Sequence, residues 1–388
     1  MSAQADNRGV RPSRQLVGLD LIRFSAAAMV VAFHLFAGTA LAPNTRWGWV
    51  GVEVFFVLSG FVIAYSAAAS SAGRFLRNRA VRLMPAVWLC GSATAAMWLV
   101  RGGEPELGRR YLDTLVLWPT GPWVDPVYWT LPVEIVFYGL IFALLWAGAF
   151  RHIEAVAGAL AVVSTGYLCL RIAGQMMHIT VPGAPDPLGR LLLLDYGNYF
   201  ALGVVLWLTF FDRPTGSRTA ISAVAALGGA IQIIFACRAF SATEPILEPE
   251  AIWLVAVAAI GISAWQHERL SALAGPLTPL LRVIGLATYP LYLLHDDLFG
   301  AVSGALRDSF GHRTLMAMVA AGAAIVAALA FAKWIEPPVQ GWLRSVLRGD
   351  PRRAIVDNRT LGRPAPCDGR VEGAARSVGD EAAVAGDG

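Results

Sequence analysis

Ten apolar stretches, each close to the length of a bilayer crossing, constrain this chain more than any other feature. They fall at about 16–42, 49–69, 83–100, 129–149, 155–173, 191–211, 220–237, 251–265, 281–300 and 315–335. A helix needs about 20 apolar residues to span the hydrocarbon of a bilayer. Lipid offers no partner to a free backbone N–H or C=O, so such runs must fold as helices that satisfy their own polar groups. The eighth stretch is the shortest, and Thr114 to Trp118, between the third and fourth, reads as an interfacial or re-entrant piece. The expected fold is all-α, a polytopic transmembrane bundle of about ten spans. Composition agrees, with 56% hydrophobic and 15% charged residues against roughly 45–50% and about 25% in soluble domains. A soluble enzyme, a disordered chain and a nucleic-acid-binding protein are thereby excluded.

Charge orients the bundle. Cytoplasmic segments of membrane proteins carry the excess of Lys and Arg. With the N-terminus inside, the inside segments hold twenty of the 31 basic residues and the outside segments nine. Both termini are expected in the cytoplasm, which requires an even number of spans. This bias also accounts for a pI near 9.0 without nucleic acid. The basic start, Arg8, Arg11 and Arg14, followed by an apolar run, imitates a signal peptide, but the run is too long and contains Asp20, Arg23 and His34. Residues 1–15 read as a cytoplasmic arm, 16–340 as the transmembrane domain and 341–388 as a disordered tail. Cys90, Cys169, Cys237 and Cys367 are far apart and form no metal-ligand cluster, so neither disulfides nor a metal are expected.

Ionisable groups inside spans are costly and mark functional sites by default. Arg23 and His34 are eleven residues apart, almost three whole turns, and so share a helix face about 16.5 Å apart along the axis. Counting rise from the span ends puts Glu53, Glu134, His295, Asp296, Asp297 and Asp195 near the depth of His34, in the outer half. Arg79 and Arg82 stay at the cytoplasmic mouth with Arg23. A His beside a carboxylate suits a general base, and clustered arginines suit phosphate. The combination points to group transfer from a phosphate-bearing cytoplasmic donor to an acceptor on the opposite face.

The same residues form a family pattern. They are Leu19-Asp20 with Arg23 and His34; Gly51-Val52-Glu53-Val54-Phe55-Phe56-Val57-Leu58-Ser59-Gly60-Phe61; Arg79 with Arg82-Leu83-Met84-Pro85; Trp129-Thr130-Leu131-Pro132-Val133-Glu134 with Phe137-Tyr138; Tyr289-Pro290-Leu291-Tyr292-Leu293-Leu294-His295; and Glu336-Pro337. Six elements in this order resemble the acyltransferase 3 family of integral-membrane O-acyltransferases over essentially residues 16–340. Glu53 stands where Asp is more usual, and Pro132 where a small polar residue is. The resemblance implies acyl-CoA, with acetyl the expected acyl group, as co-substrate rather than bound cofactor. It implies a sugar hydroxyl, in an envelope polysaccharide, glycolipid or glycosylated small molecule, as acceptor.

On these grounds His34, Glu134 and Arg23 are the expected catalytic residues, with His34 as general base supported by Glu134. Arg79 and Arg82 are expected to bind the acyl donor, and Glu53, Tyr289, Tyr292 and His295 to bind the acceptor or support the site. Direct transfer and an acyl-His34 intermediate are both open. Ser59 and Gly60 read as helix-packing residues, since no GxSxG pattern surrounds Ser59. The expected location is a bacterial inner membrane. Some members of the family carry a fused esterase-like domain, which these 388 residues lack, so transfer is expected to be completed by the bundle or by a separate partner. A transporter or flippase is the alternative, although no internal repeat supports it.

Overall fold

The computed structural model describes residues 16–179, 181, 187–240 and 245–348. The described residues form helices and no strand, and all ten expected segments contain one. They are α1 (Val17–Leu35), α2 (Val50–Ala68), α3 (Ala72–Val100), α4 (Thr130–Trp146), α5 (Ile153–Met176), α6 (Gly197–Phe211), α7 (Gly216–Phe240), α8 (Leu247–Trp265), α9 (Thr278–Leu294) and α10 (Arg313–Arg348, interrupted by a π turn at Phe331–Ile335). Nine of these regions are long and apolar enough to cross a membrane. The short crossing is the sixth rather than the eighth: α8 has 19 residues, whereas the 15 residues of α6 rise only about 22 Å.

Several expected boundaries shift, and the third span begins at Ala72 rather than 83. The first span stops at Leu35, and residues 36–49 form turns and the short helix Ala42–Thr45. The ninth stops at Leu294, and after a break at His295 and Asp296 a separate helix, Asp297–Phe310, begins. Thr114 to Trp118 belongs to a short helix, Leu107–Leu115, and the turn after it, held against α3 by Trp88 Nε1 donating to Leu115 O (3.1 Å) and by the Ser92–Tyr111 hydroxyl pair (2.8 Å). α10 runs to Arg348, so the expected tail boundary at 341 falls inside a helix. Residues 1–15 and 349–388 lie outside the described residues.

Two apolar clusters build the core. One joins α2 to α4 through α8, the other joins α1, α3, α9 and α10, and α1 and α2 lie along the seam. The α2–α6 crossing shows how closely the helices approach. A Cβ on Gly60 would sit 2.2 Å from Phe200 O, and one on Gly203 2.0 Å from Val57 O. Without a hydrophobic drive between helices in lipid, this backbone-to-backbone packing is what holds them together. The packing role expected for Gly60 is found. Arg23 near the start of α1 and Arg344 near the end of α10 line one cavity.

Candidate active site

Two cavities open along the seam, at opposite ends of α1. The first, about 460 Å³, is lined by five arginines, Arg23, Arg79, Arg82, Arg282 and Arg344, and by one carboxylate, Glu134. Arg82 Nη1 meets Glu336 Oε1 at 3.3 Å, and the Glu336 side chain is only 2% exposed. Gln340 Nε2 donates to the same oxygen at 2.7 Å. Arg82 also lies over the Tyr289 ring (5.9 Å), and Arg79 over Phe75 (5.7 Å) and Tyr138 (6.0 Å). Arg23 approaches Asp20 at 3.7 Å. Ser59 Oγ donates to Glu134 Oε1 at 2.6 Å. Such an excess of guanidinium over carboxylate focuses positive potential, and a polyphosphate is the anion it suits.

The second cavity, about 330 Å³, is lined by His34, Glu53, Arg171, Gln232 and Asp296 among aromatic side chains. His34 Nδ1 lies 3.0 Å from Asp296 Oδ1. A carboxylate only accepts, so this contact puts the proton on Nδ1 and leaves the Nε2 lone pair free to act as a base. The His295 ring stands edge-on to that of His34, centroids 4.9 Å apart. His295 Nδ1 donates to Tyr292 O at 2.7 Å. Burial and the charge of His34 beside it push His295 down to about 4, so it is neutral near pH 7. Burial acts to raise Asp296, but the hydrogen bond and charge of His34 outweigh it and hold the carboxylate below its ordinary range. Asp297 goes the other way, to about 6, through burial and the adjacent Asp296. The fully buried Asp125 is raised well above the usual carboxylate range by burial and by Asp297. It accepts from the backbone N–H of Val127 (3.0 Å) and Asp297 (3.1 Å), tying the loop before α4 to the helix after His295.

The structure brings His34, Glu53 and His295 together, as depth counting expected. It does not bring Glu134 to His34. Counting rise from Trp129 assumed that α4 starts at the membrane surface, whereas Val127, Tyr128 and Thr130 are buried. α4 thus begins inside the bundle, and Glu134 lies deeper, in the arginine cavity with Ser59, Arg23 and Tyr289. The carboxylate against His34 is Asp296. Asp125 drew no attention in the sequence, where it is one acid in a Pro- and Gly-containing loop. Val52 and Tyr292 line both cavities, and Tyr292 Oη donates to Val127 O at 3.2 Å while its ring lies 5.8 Å from that of Phe55. These side chains form the wall between the cavities. Among the described residues, no cluster of three or more His, Cys, Asp or Glu side chains is placed to hold a metal ion.

Residues 16–335 match the Acyltransferase domain of the acyltransferase 3 family. The chain belongs to that family. Two relatives are named for acyl transfer. BcsY of Komagataeibacter xylinus, named as a membrane-bound transacylase, is 26% identical over 316 residues, 73% of each chain. The acyltransferase MdmB of Streptomyces mycarofaciens is 26% identical over 91% of this chain and 94% of its own. Nodulation protein 10 of Rhizobium leguminosarum bv. viciae is 29% identical over 36% of this chain and 48% of its own. No solved structure matches. This acyltransferase 3 member is thus a multi-pass integral membrane enzyme that transfers acyl groups, and all six sequence elements on which the resemblance was drawn belong to its helical bundle or, for His295, to the break that follows α9.

Proposed function

We propose that the protein is an O-acyltransferase of a bacterial inner membrane that takes an acyl group, acetyl in the first instance, from acyl-CoA and passes it to a hydroxyl of a carbohydrate or glycosylated acceptor. The observation that carries this reading is the pair of cavities of opposite character, one rich in arginine and one holding an oriented histidine, separated by a single wall. The arginine bias of the expected inside segments puts the first cavity at the cytoplasm, where acyl-CoA is made. Arg79 and Arg82 would hold the CoA phosphates, and Arg23 would steer the donor arm toward the wall.

In direct transfer the acceptor hydroxyl gives its proton to His34 Nε2 as its oxygen bonds to the thioester carbonyl carbon. Asp296 fixes the ring and stabilises the imidazolium that forms. The tetrahedral oxyanion collapses, the C–S bond breaks, and the proton passes from His34 to the departing thiolate. The products are an ester and free CoA. In a two-step variant, His34 Nε2 attacks the thioester carbonyl carbon, the C–S bond breaks and CoA leaves as the thiolate. The acceptor hydroxyl then attacks the acyl-imidazolium, the N–C bond breaks to regenerate His34, and the hydroxyl proton neutralises the thiolate.

The test uses the full-length protein in lipid nanodiscs with radiolabelled acetyl-CoA. His34→Ala and Arg23→Ala should each abolish transfer to a hydroxyl acceptor, and transfer that survives both overturns the reading. Rapid acid quench without acceptor separates the two routes: label on the protein marks the two-step route, and unlabelled protein marks direct transfer.

A further inference from the structure

Asp296 occupies the position from which a helix is usually capped. It directly precedes the helix Asp297–Phe310, and an aspartate there ordinarily turns its carboxylate back onto the first N–H groups of that same helix. Asp296 makes no such bond, and its backbone, at φ −80° and ψ −82°, lies outside the extended region that a capping residue takes. Its carboxylate reaches His34 Nδ1 instead, at 3.0 Å. The helix start and the imidazole compete for one side chain, because short acidic side chains bond readily to the backbone that follows them.

The helix is capped by a residue 172 positions away in the chain. Asp125 Oδ2 accepts from the backbone N–H of Asp297, the first residue of that helix, at 3.1 Å. Asp125 Oδ1 accepts from the N–H of Val127 at 3.0 Å and so caps the short helical turn Pro126–Trp129 as well. One fully buried carboxylate thus closes two helix starts with its two oxygens. Tyr292 Oη donating to Val127 O (3.2 Å) and His295 Nδ1 donating to Tyr292 O (2.7 Å) brace the same loop against the last turn of α9. The end of α9, the break after it and the loop before α4 form one tied unit, with Asp296 at its edge facing His34. Burying an acid is costly, and Asp125 lines neither of the two cavities described above. Its place is therefore explained by what it holds rather than by contact with a substrate.

We infer that Asp125 is a positioning residue for the reaction: by capping the helix Asp297–Phe310 in place of Asp296, it releases the Asp296 carboxylate to hold the Nδ1 edge of His34. It touches no reacting atom itself. Without it, Asp296 turns back to cap its own helix, and His34 loses the partner that fixes its tautomer. The inference rests on the O-acyltransferase reading only for what that loss does to turnover. Asp125 belongs to none of the six motif elements.

The experiment is magic-angle-spinning NMR of the full-length protein in lipid bilayers, with histidine isotope-labelled at its ring nitrogens and the pH set where imidazole is neutral. Loss of signal in His34→Gln assigns His34. The parent should carry the His34 proton on Nδ1. Asp125→Ala should add a population with the proton on Nε2, and Asp125→Asn, which keeps one acceptor oxygen, a smaller one. In steady-state kinetics Asp125→Ala should lower kcat about tenfold or more, short of the loss of about 10²–10⁴-fold that removal of acid–base assistance brings, and leave the donor KM unchanged. On an Asp296→Asn background the same substitution should change kcat by less than about threefold, because a residue that acts through another adds nothing once that other is gone. The inference is overturned by a parent with the proton on Nε2, by a parent-like His34 spectrum in Asp125→Ala, or by a double variant whose loss is the product of the two single losses. If Asp125→Ala does not fold, Asp125→Asn carries the test, and a parent-like spectrum there is equally decisive. A tautomer shift in Asp125→Ala together with undiminished transfer in His34→Ala would sink the catalytic reading and leave the positioning role. Transfer abolished in His34→Ala, with the His34 spectrum unmoved by Asp125→Ala, would do the reverse.

Discussion

Asp296 holds the Nδ1 edge of His34 at 3.0 Å, and the two side chains come from opposite ends of the sequence, 262 positions apart by numbering. The contact fixes the tautomer, so which ring nitrogen is left without a proton is set by a residue at a helix break rather than by the carboxylates of α2 or α4.

Asp296→Asn should therefore lower kcat by about 10²–10⁴-fold, the range that general acid–base assistance supplies, with little change in the KM for acyl-CoA. Glu134→Gln, in the other cavity, should move donor KM instead. Steady-state kinetics varying each substrate in turn check both, and a kcat effect confined to Glu134 would reverse the assignment.

The wall at Val52 and Tyr292 should set acyl length. Discrimination by one methylene in an apolar passage is worth about 10–200-fold. Val52→Ala should improve butyryl-CoA relative to acetyl-CoA by about tenfold, and Val52→Phe should suppress transfer of both while CoA still binds. The ratio of kcat/KM across acetyl-, butyryl- and hexanoyl-CoA measures this.

Arg82 has an observed partner in Glu336 and a proposed part in donor binding, which a double variant separates. Arg82→Met leaves the Glu336 carboxylate buried and unpaired. The cost should fall below the roughly 3–5 kcal/mol of a wholly buried pair, because Arg82 keeps 30% of its side chain exposed. Adding Glu336→Gln should restore most of the thermal stability and leave the donor KM raised. Recovery of donor affinity in the double variant would mean that Arg82 serves structure alone.

Asp297 gives a pH signature. Its pKa in the folded protein is about 6, above the ordinary carboxylate value near 3.9, so the native state holds this proton more tightly than the unfolded chain does. Its stabilising contribution is full below about pH 4 and is lost as pH rises through about 6. Asp297→Asn should raise the melting temperature at pH 7.5, and the gain should vanish at pH 4. Melting curves across that range test the sign.

Much of the fold was legible because the membrane writes it directly: an apolar run of about 20 residues has one stable conformation in lipid. The site was legible in one dimension. The eleven-residue spacing of Arg23 and His34 does place them at opposite ends of one helix face, and Glu53 and His295 share the depth of His34. Glu134 failed because rise per residue measures depth only from a known starting level, and the apolar span begins ahead of α4, at Pro126. Asp296 was placed at the right depth without a role, since which of several acids faces His34 is decided by the break after Leu294, not by spacing. Gln232 left no trace, as a single amide in an apolar run has no pattern around it.

The arginine cavity draws its lining from Arg23 to Arg344, and its Arg82–Glu336 pair bridges 254 positions. Ribosomal synthesis delivers the first helix long before the last, so through most of translation the cavity has an open side and Arg82 lacks its carboxylate. The arginine cavity is thereby completed only when the final helix has inserted. A chain truncated ahead of Glu336 would keep the first part of α10 yet leave Arg82 without its carboxylate and the cavity without Gln340 and Arg344.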